Sequence, residues 1–338
     1  MRKQFITVST IFVLFVLNNP SRAAEPLTLI QTVPLSDLRD GDFDHFAVDL
    51  TGHRLFLTSE QGAVEVFDLR TNKLIHTLTD VKEPHSLVYR ADLKKLFVVD
   101  GGAAELRIFD VDSYKAVDSV KLTEDCDSMA YDPVSKYMYI VNGGRAAHTP
   151  YSLISVVDTT NAKKLADIKV DTNRVEALAL EKLGPRFFAN LTGENSVGVF
   201  DRNEDTLLTT WSVAEAGQEN VPLAFNEADH RLFIVTRKPS KLVVLDSDAG
   251  KAVATLPLTD MVDDLAYDPA SRRIYAPGGG FVDVFQQDDP NHYKQLGHVP
   301  GAFRAKTAVL VPELRRYFLA APRQGDKVAE LRVYKLGR

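Results

Sequence analysis

Short runs of apolar, β-branched and aromatic residues follow one another along almost the whole chain, separated by clusters of polar turn residues. One kind of run ends in an aspartate, as in residues 64–68, Val-Glu-Val-Phe-Asp, and it returns at a nearly constant interval. These aspartates stand 42, 48, 43 and 45 residues apart, at Asp68, Asp110, Asp158, Asp201 and Asp246. Self-similarity at a fixed period of this length indicates a repeat architecture.

Each repeat holds four apolar runs, and each run has the length and composition of a short β-strand. In the fifth repeat they are residues 222–225, 231–235, 242–246 and 251–256. Turn chemistry separates them, for example Asp-Pro-x-Ser at 132–135 and 268–271. No stretch of ten residues or more has the period of an amphipathic helix. Four strands per repeat predict the blades of a β-propeller.

The count of repeats predicts seven blades. The last repeat, residues 306–336, supplies only three strands before the chain ends, and residues 27–33 match the missing fourth. We therefore predict an all-β, seven-bladed β-propeller closed by an N-terminal strand that completes the last blade. Joining the two ends of the chain in one sheet removes exposed strand edges. Six or eight blades would leave a strand unassigned or invented.

The N-terminus has the layout of a signal peptide. Arg2 and Lys3 precede an apolar segment, residues 5–17, and Ser21 and Ala23 fit the small residues of a cleavage site. The apolar segment is shorter than the about 20 residues that span a bilayer. We predict a signal peptide over 1–23, a single propeller domain over 24–338, and a periplasmic or secreted protein that does not span the membrane.

Composition narrows the classes of partner. The full chain has a net charge of −6, which becomes −9 without residues 1–23, because that segment holds three basic residues and no acidic one. This acidity disfavours nucleic acid as a partner. The single cysteine, Cys126, excludes an internal disulfide, and we expect it to be buried.

Residues 139–143, Tyr-Ile-Val-Asn-Gly, resemble the Tyr-Val-Thr-Asn signature of the YVTN family of exported, YncE-like bacterial β-propellers. Residues 96–101 and 232–236 are looser versions, whereas 186–191 and 316–321 depart from the signature. The resemblance implies a seven-bladed fold and export. It leaves function open, since such propellers include binding platforms, enzyme subunits and a few enzymes.

The polar residues just before the first strand of each blade are the main candidates for function. In a propeller these strands line the central channel, so the preceding residues form a ring at its mouth. One residue per blade gives His45, His85, Asp127, Glu176, Asn220, Asp264 and Lys306. His45 and His85 fall at matching sites of adjacent blades beside acidic residues, which with Asp127 predicts a divalent metal site.

Other interpretations of the same face stay open. Polar residues at a wet channel mouth need no ligand. His45, His85, Glu176 and Lys306 could instead perform acid–base catalysis in a lactonase-like or metal-assisted hydrolase, although no nucleophile motif is present.

The loop of the third blade, residues 142–152, is the longest on this face and brings Arg145, His148 and Tyr151 toward the channel. With Asp127, Asn220, Asp264 and Arg304 these are the predicted ligand-binding residues. The absence of a catalytic motif favours a binding platform for a small molecule, a metal ion or a protein. A non-catalytic subunit of a periplasmic redox complex is a further alternative.

Overall fold

The structure, a computed structural model, describes residues 25–337 as seven four-stranded antiparallel sheets arranged in a ring. The prediction of an all-β, seven-bladed propeller is confirmed. The predicted signal peptide, residues 1–23, lies outside the described residues. Within the described part, no helix is long and apolar enough to cross a membrane.

The first strand, β1 (Leu27–Leu35), belongs to the last blade. The strands of blades one to four are β2 (Phe43–Asp49), β3 (Arg54–Ser59), β4 (Ala63–Asp68), β5 (Leu74–Leu78), β6 (Pro84–Arg90), β7 (Lys95–Asp100), β8 (Glu105–Asp110), β9 (Lys115–Lys121), β10 (Met129–Tyr131), β11 (Tyr137–Gly143), β12 (Ser152–Asp158), β13 (Lys163–Val170), β14 (Leu178–Leu180), β15 (Arg186–Leu191), β16 (Ser196–Asp201) and β17 (Thr206–Ser212). Those of blades five to seven are β18 (Gln218–Asn226), β19 (Arg231–Lys238), β20 (Ser240–Asp246), β21 (Ala252–Pro257), β22 (Ala266–Asp268), β23 (Arg273–Pro277), β24 (Phe281–Asp289), β25 (His292–Pro300), β26 (Thr307–Val311), β27 (Arg316–Ala321) and β28 (Ala329–Leu336). Two single-turn 3-10 helices, Thr192–Glu194 and Pro312–Leu314, complete the described secondary structure.

The position of a strand within its blade decides its hydrophobic pattern. The second and third strands are covered on both faces by neighbouring blades, so they are continuous apolar runs such as residues 96–99 of β7, which are buried throughout. The fourth strand lies at the rim, and β9 is mostly exposed. Apolar side chains of adjacent blades meet in seven clusters, one for each blade interface.

The repeated aspartates form the hairpin turns between the third and fourth strands. Asp68 accepts hydrogen bonds from the backbone N–H groups of Arg70 and Thr71, both at 2.9 Å. Asp246 does the same for Asp248 at 3.0 Å and Ala249 at 2.9 Å. An aspartate that satisfies the backbone of the following residues is a standard way to close a tight turn. The most regular feature of the sequence is therefore structural.

The ring is closed by β1, which pairs antiparallel with β28 from Leu27 opposite Leu336 to Leu35 opposite Ala329. The sheet of the last blade has the order β26-β27-β28-β1, so the first and the last described strands share one blade. This confirms the predicted closure.

Cys126 is 1% exposed, and burial raises the pKa of its thiol to about 12. Such a thiol is an inert core residue rather than a nucleophile.

Candidate functional site

The channel mouth is built from two layers of residues, one residue of each blade in each layer. The strand registers align seven residues that we call the mouth ring: Asp44, His85, Asp127, Glu176, Val221, Asp263 and Lys306. The next residue of each blade belongs to the inner ring: His45, Ser86, Ser128, Ala177, Pro222, Asp264 and Thr307. The mouth ring encloses a cavity of about 160 Å³.

A β-bulge in the first strands displays these residues toward the channel. In β2, Phe43 pairs with Ser59 and Phe46 pairs with Leu57, so Asp44 and His45 together oppose one residue of β3. The same irregularity occurs in β6 and β18. Bulges of this kind reorient side chains and are frequent beside functional sites.

The strand registers correct the predicted equivalence of the two histidines. His85 is in the mouth ring at the level of Asp44, whereas His45 lies one residue deeper at the level of Ser86. The predicted ring is likewise displaced by one residue in blades five and six, where Val221 and Asp263 occupy the mouth ring. The strand registers set Phe46 of β2 level with Leu87 of β6, so the residue before Phe46 aligns with Ser86 and not with His85.

Below the two polar layers the channel is apolar. Side chains that follow the inner ring line a second cavity of about 230 Å³ together with six of the inner-ring residues. They are Phe46, Leu87, Met129, Leu178, Leu223 and Leu265. The mouth ring and the inner ring therefore form a polar cup, and the side chains below them form an apolar floor. The charged groups of the mouth lie in the two upper layers.

The carboxylate of Asp44 joins the two histidines. Its Oδ2 lies 2.7 Å from Nδ1 of His85, and its Oδ1 lies 3.3 Å from Nε2 of His45. Burial favours the neutral acid, but the positive charges of His45 and His85 outweigh it and hold the pKa of Asp44 at about 2. Asp44 is therefore ionised at any physiological pH.

His45 is fixed in orientation from behind. Its Nδ1 lies 3.0 Å from Oδ1 of Asp264, whose other oxygen accepts a hydrogen bond of 2.8 Å from the backbone N–H of Ala308. The backbone of His45 is tied to the hydroxyl of Thr58. Burial lowers the pKa of His45, but the charges of Asp44 and Asp264 prevail and raise it well above its usual value. Nε2 is thus directed toward Asp44 and the mouth.

His85 is also held as a cation. Burial acts to lower its pKa, and the hydrogen bond to Asp44 and the charge of Asp127 raise it to about 9. A Cβ atom on Gly101 would lie 2.9 Å from Nε2 of His85. The glycine therefore leaves room for the ring to stand with Nδ1 toward Asp44.

We call the part of the mouth built by blades four to seven the far side, and the part built by blades one to three the near side. On the far side, each acidic residue of the mouth ring forms an ion pair with a basic residue. Arg174 donates from Nε to Oε1 of Glu176 at 2.7 Å. Asp263 pairs with Arg237 and, at 2.6 Å, with Nζ of Lys306. In blades four to seven each acid of the mouth ring thus has a permanent cation.

Two carboxylates on the near side have no such partner. Among residues 25–337 neither Glu60 nor Asp127 has a side-chain hydrogen bond or ion pair, although both are half-buried beside Asp44. Burial and the charge of Asp44 raise the pKa of each to about 7. The near side therefore carries an excess of carboxylates, which the two histidines and, at longer range, the charge of Lys306 offset.

These donors form two overlapping sets with metal-binding geometry. Asp44, His45 and Asp127 place one ligand atom each within 4.8 Å of one another, and so do Asp44, Glu60 and His85. The predicted trio of His45, His85 and Asp127 is thus divided between two sets that share Asp44. The sequence analysis did not predict Glu60 as a site residue. Its position could have indicated it, because Glu60 directly follows β3 on the mouth face.

The remaining predicted residues lie farther from this centre. Asn220 is fully buried, and its amide nitrogen donates to Oδ1 of Asn190 and the carbonyl of Ser196. Arg145 is exposed and lines a side cavity of about 140 Å³ that adjoins Asp127.

The other loop residues do not line the mouth cavity. His148 is exposed, and the ring of Tyr151 packs under Nζ of Lys169 at 5.0 Å. Arg304 pairs with Asp42. These three side chains therefore lie outside the cavity that contains the two histidines.

Comparison with known proteins supports the fold and gives no information on function. No family model matches the chain, and no curated protein matches it. A chain of hydrazine synthase from Kuenenia stuttgartiensis superposes with a TM-score of 0.73 at 16% identity, covering 84% of this chain and 94% of that one. A chain from the mitotic checkpoint complex gives 0.75 at 13% identity, covering 98% and 99%.

Proposed function

We propose that the protein is a binding platform whose channel mouth holds a divalent transition-metal ion through Asp44, His45 and Asp127. The observation that carries the proposal is the meeting of these three donors within 4.8 Å, one of them an unpaired carboxylate. Imidazole nitrogen with carboxylate oxygen is a donor set suited to zinc and neighbouring first-row metals.

The surroundings of His45 support the same conclusion. A metal-binding histidine usually donates its other ring N–H to a carboxylate, which fixes the tautomer and the ring orientation. Asp264 stands in that relation to Nδ1 of His45, and it is itself held by a backbone N–H. The mouth thus contains both a set of ligands and the residue that orients one of them.

A bound metal ion would also replace the histidine protons as the positive charge that balances the carboxylates. At neutral pH both histidines balance the surplus carboxylates as cations. A metal ion binds the neutral imidazole, so binding releases protons. We further propose that this exchange takes place outside the cytoplasm, in line with the expected signal peptide.

Titration of the chelator-treated protein with Zn²⁺ or Mn²⁺ tests the proposal. We expect stoichiometric binding, and calorimetry in buffers of different ionisation enthalpy should show about one to two protons released per ion near pH 7. Asp264→Asn should weaken binding about 10- to 100-fold, the usual effect of losing a ligand's orienting partner. His45→Asn and Asp127→Asn should weaken it further.

His230→Asn is the matched control. His230 also pairs with an aspartate, Asp248 at 3.1 Å, but it is 58% exposed at a turn on the opposite face. Its replacement should leave affinity and stoichiometry unchanged. Absence of binding to the wild-type protein, or equal losses in the His230 and His45 variants, would refute the proposed site.

A metal-assisted hydrolase on the same face is a second candidate. The observation that favours it is the open mouth cavity, which brings Lys306, Arg174 and Arg237 alongside the proposed ligands. Cations in such a position stabilise developing negative charge on a substrate. A panel of lactones and esters, assayed with metal-loaded and chelator-treated protein, decides this candidate. Turnover only in the loaded form supports it, and no turnover in either form excludes it.

A further inference from the structure

We propose that the mouth holds two divalent ions rather than one, with the carboxylate of Asp44 bridging them. This inference rests on the proposed function for the first ion, at Asp44, His45 and Asp127. The second ion would take Asp44, Glu60 and His85, whose ligand atoms also lie within 4.8 Å of one another.

The two oxygens of Asp44 already face different histidines. Oδ2 is directed at Nδ1 of His85 and Oδ1 at Nε2 of His45. A carboxylate that presents one oxygen to each of two nitrogen donors has the arrangement of a bridging ligand. Asp44 is only 9% exposed and sits in the bulge of β2, so its direction is fixed by the backbone.

Charge supports a pair of ions. Asp44, Glu60, Asp127 and Asp264 together carry four negative charges when ionised, and no lysine or arginine forms an ion pair with any of them among the described residues. One divalent ion at the first site, with His85 still protonated, would leave one negative charge in a half-buried cup, whereas two ions bound to neutral histidines balance all four. The cations of the far side are already paired to Glu176 and Asp263.

A single ion at the first site would also leave two potential metal ligands, Glu60 and His85, unused. Glu60 reaches the mouth from the turn after β3 and has no partner of its own among residues 25–337. His85 stands with Nε2 against Gly101, so Nδ1 is the nitrogen that it offers to the cup. Together with Asp44 they complete a second set of one nitrogen and two oxygen donors.

Metal stoichiometry of the purified wild-type protein tests the pair. After removal of metal by chelation, titration with Mn²⁺ followed by calorimetry and elemental analysis should reach two ions per chain. The electron paramagnetic resonance signal should be a six-line Mn²⁺ spectrum at half loading and a broadened, exchange-coupled spectrum at full loading. Zn²⁺ should give the same stoichiometry.

Variants assign each ion to its ligands. Glu60→Gln and His85→Asn should each reduce the stoichiometry to one and change the affinity of the remaining ion less than about threefold. His45→Asn should remove the other ion, and Asp44→Asn should remove both. His292→Asn is the control, because His292 pairs with Asp289 at the same 2.7 Å but at the exposed end of the hairpin between β24 and β25. Thermal unfolding confirms that each variant is folded.

The outcomes separate the two proposals. Two ions in the wild type, with one lost in the Glu60 variant, support the bridged pair. Saturation at one ion, with affinity unchanged in Glu60→Gln, refutes the pair and leaves the first site standing. No bound ion at all refutes the proposed function itself.

Discussion

Replacing both Leu27 and Leu35 by alanine is expected to lower the free energy of unfolding by about 4–8 kcal/mol, from about 2–4 kcal/mol for each buried leucine. The two side chains are 1% and 3% exposed at opposite ends of β1. Leu27 packs in the cluster between blades six and seven, and Leu35 packs in the cluster between blades seven and one. One strand therefore holds the last blade to both of its neighbours, and the double change weakens both seams.

Chemical denaturation of the double variant measures the effect. Its matched control is Leu29→Ala with Ile30→Ala, since these two residues of the same strand are 47% and 45% exposed. Exposed positions of this kind change stability by about 0.5 kcal/mol or less each. We also expect the Leu27/Leu35 variant to self-associate, because a loosened β1 uncovers the edge of β28. Equal losses in the two double variants would contradict the closure argument.

The blades and their closure could be predicted from sequence because their physical causes are local. A strand covered on both faces needs an apolar middle, and residues 55–57 of β3, 96–99 of β7 and 232–235 of β19 show this directly. The turn aspartates mark the end of each third strand, since their carboxylates bond the backbone that follows. Closure followed from counting, because the last repeat supplied three strands and the start of the chain supplied one.

The residue types at the candidate site could be predicted from the sequence, but their arrangement could not. The residue types and the face came from the repeat, yet the pairing of β2 with β3 and of β6 with β7 decides that Asp44, not His45, shares a level with His85. Which donors meet also depends on side-chain directions. No pattern of residues showed that Asp264 would stand behind His45.

Glu60 could have been found by extending the repeat at the mouth end of each second strand. Ser59 and Thr236 occupy matching positions in blades one and five, so the residues that follow them, Glu60 and Arg237, also match, and both line the mouth. Their charges differ in sign and so do their surroundings. Glu60 lies beside Asp44 on the near side of the mouth, where carboxylates are in excess, and Arg237 is paired with Asp263 on the far side.

Asp127→Asn is expected to stabilise the metal-free protein by about 1–2 kcal/mol at pH 8 while it weakens metal binding. The carboxylate of Asp127 is half-buried and unpaired beside the charge of Asp44, and its pKa is raised from 3.8 to about 7. One pKa unit corresponds to about 1.4 kcal/mol, and partial exposure screens much of the full shift. An asparagine of the same shape removes the like-charge repulsion together with the ligand.

The pH dependence follows from the direction of the shift. Between about pH 4 and 7 the folded protein retains the Asp127 proton that the unfolded chain has lost, so stability falls as the pH rises. Glu60 acts with the same sign over the same range. The pKa of His85 is raised from 6.5 to about 9, so its contribution is complete below pH 6.5 and is lost as the pH rises through 9. The metal-free wild type is therefore expected to lose stability from pH 5 to pH 9.

Two neighbouring carboxylates should respond with opposite signs, which distinguishes a specific site from a general excess of acid. Asp44→Asn should destabilise the metal-free protein at pH 7, because the pKa of Asp44 is held at about 2 by His45 and His85 and its charge stabilises the fold above pH 4. Asp127→Asn should stabilise it and flatten the decline between pH 4 and 7. Asp171→Asn, at a carboxylate 88% exposed, makes the same change in net charge and should do neither. If thermal unfolding across this pH range shows the Asp44 and Asp127 variants shifting in the same direction, the mouth is only a solvated ring of charges.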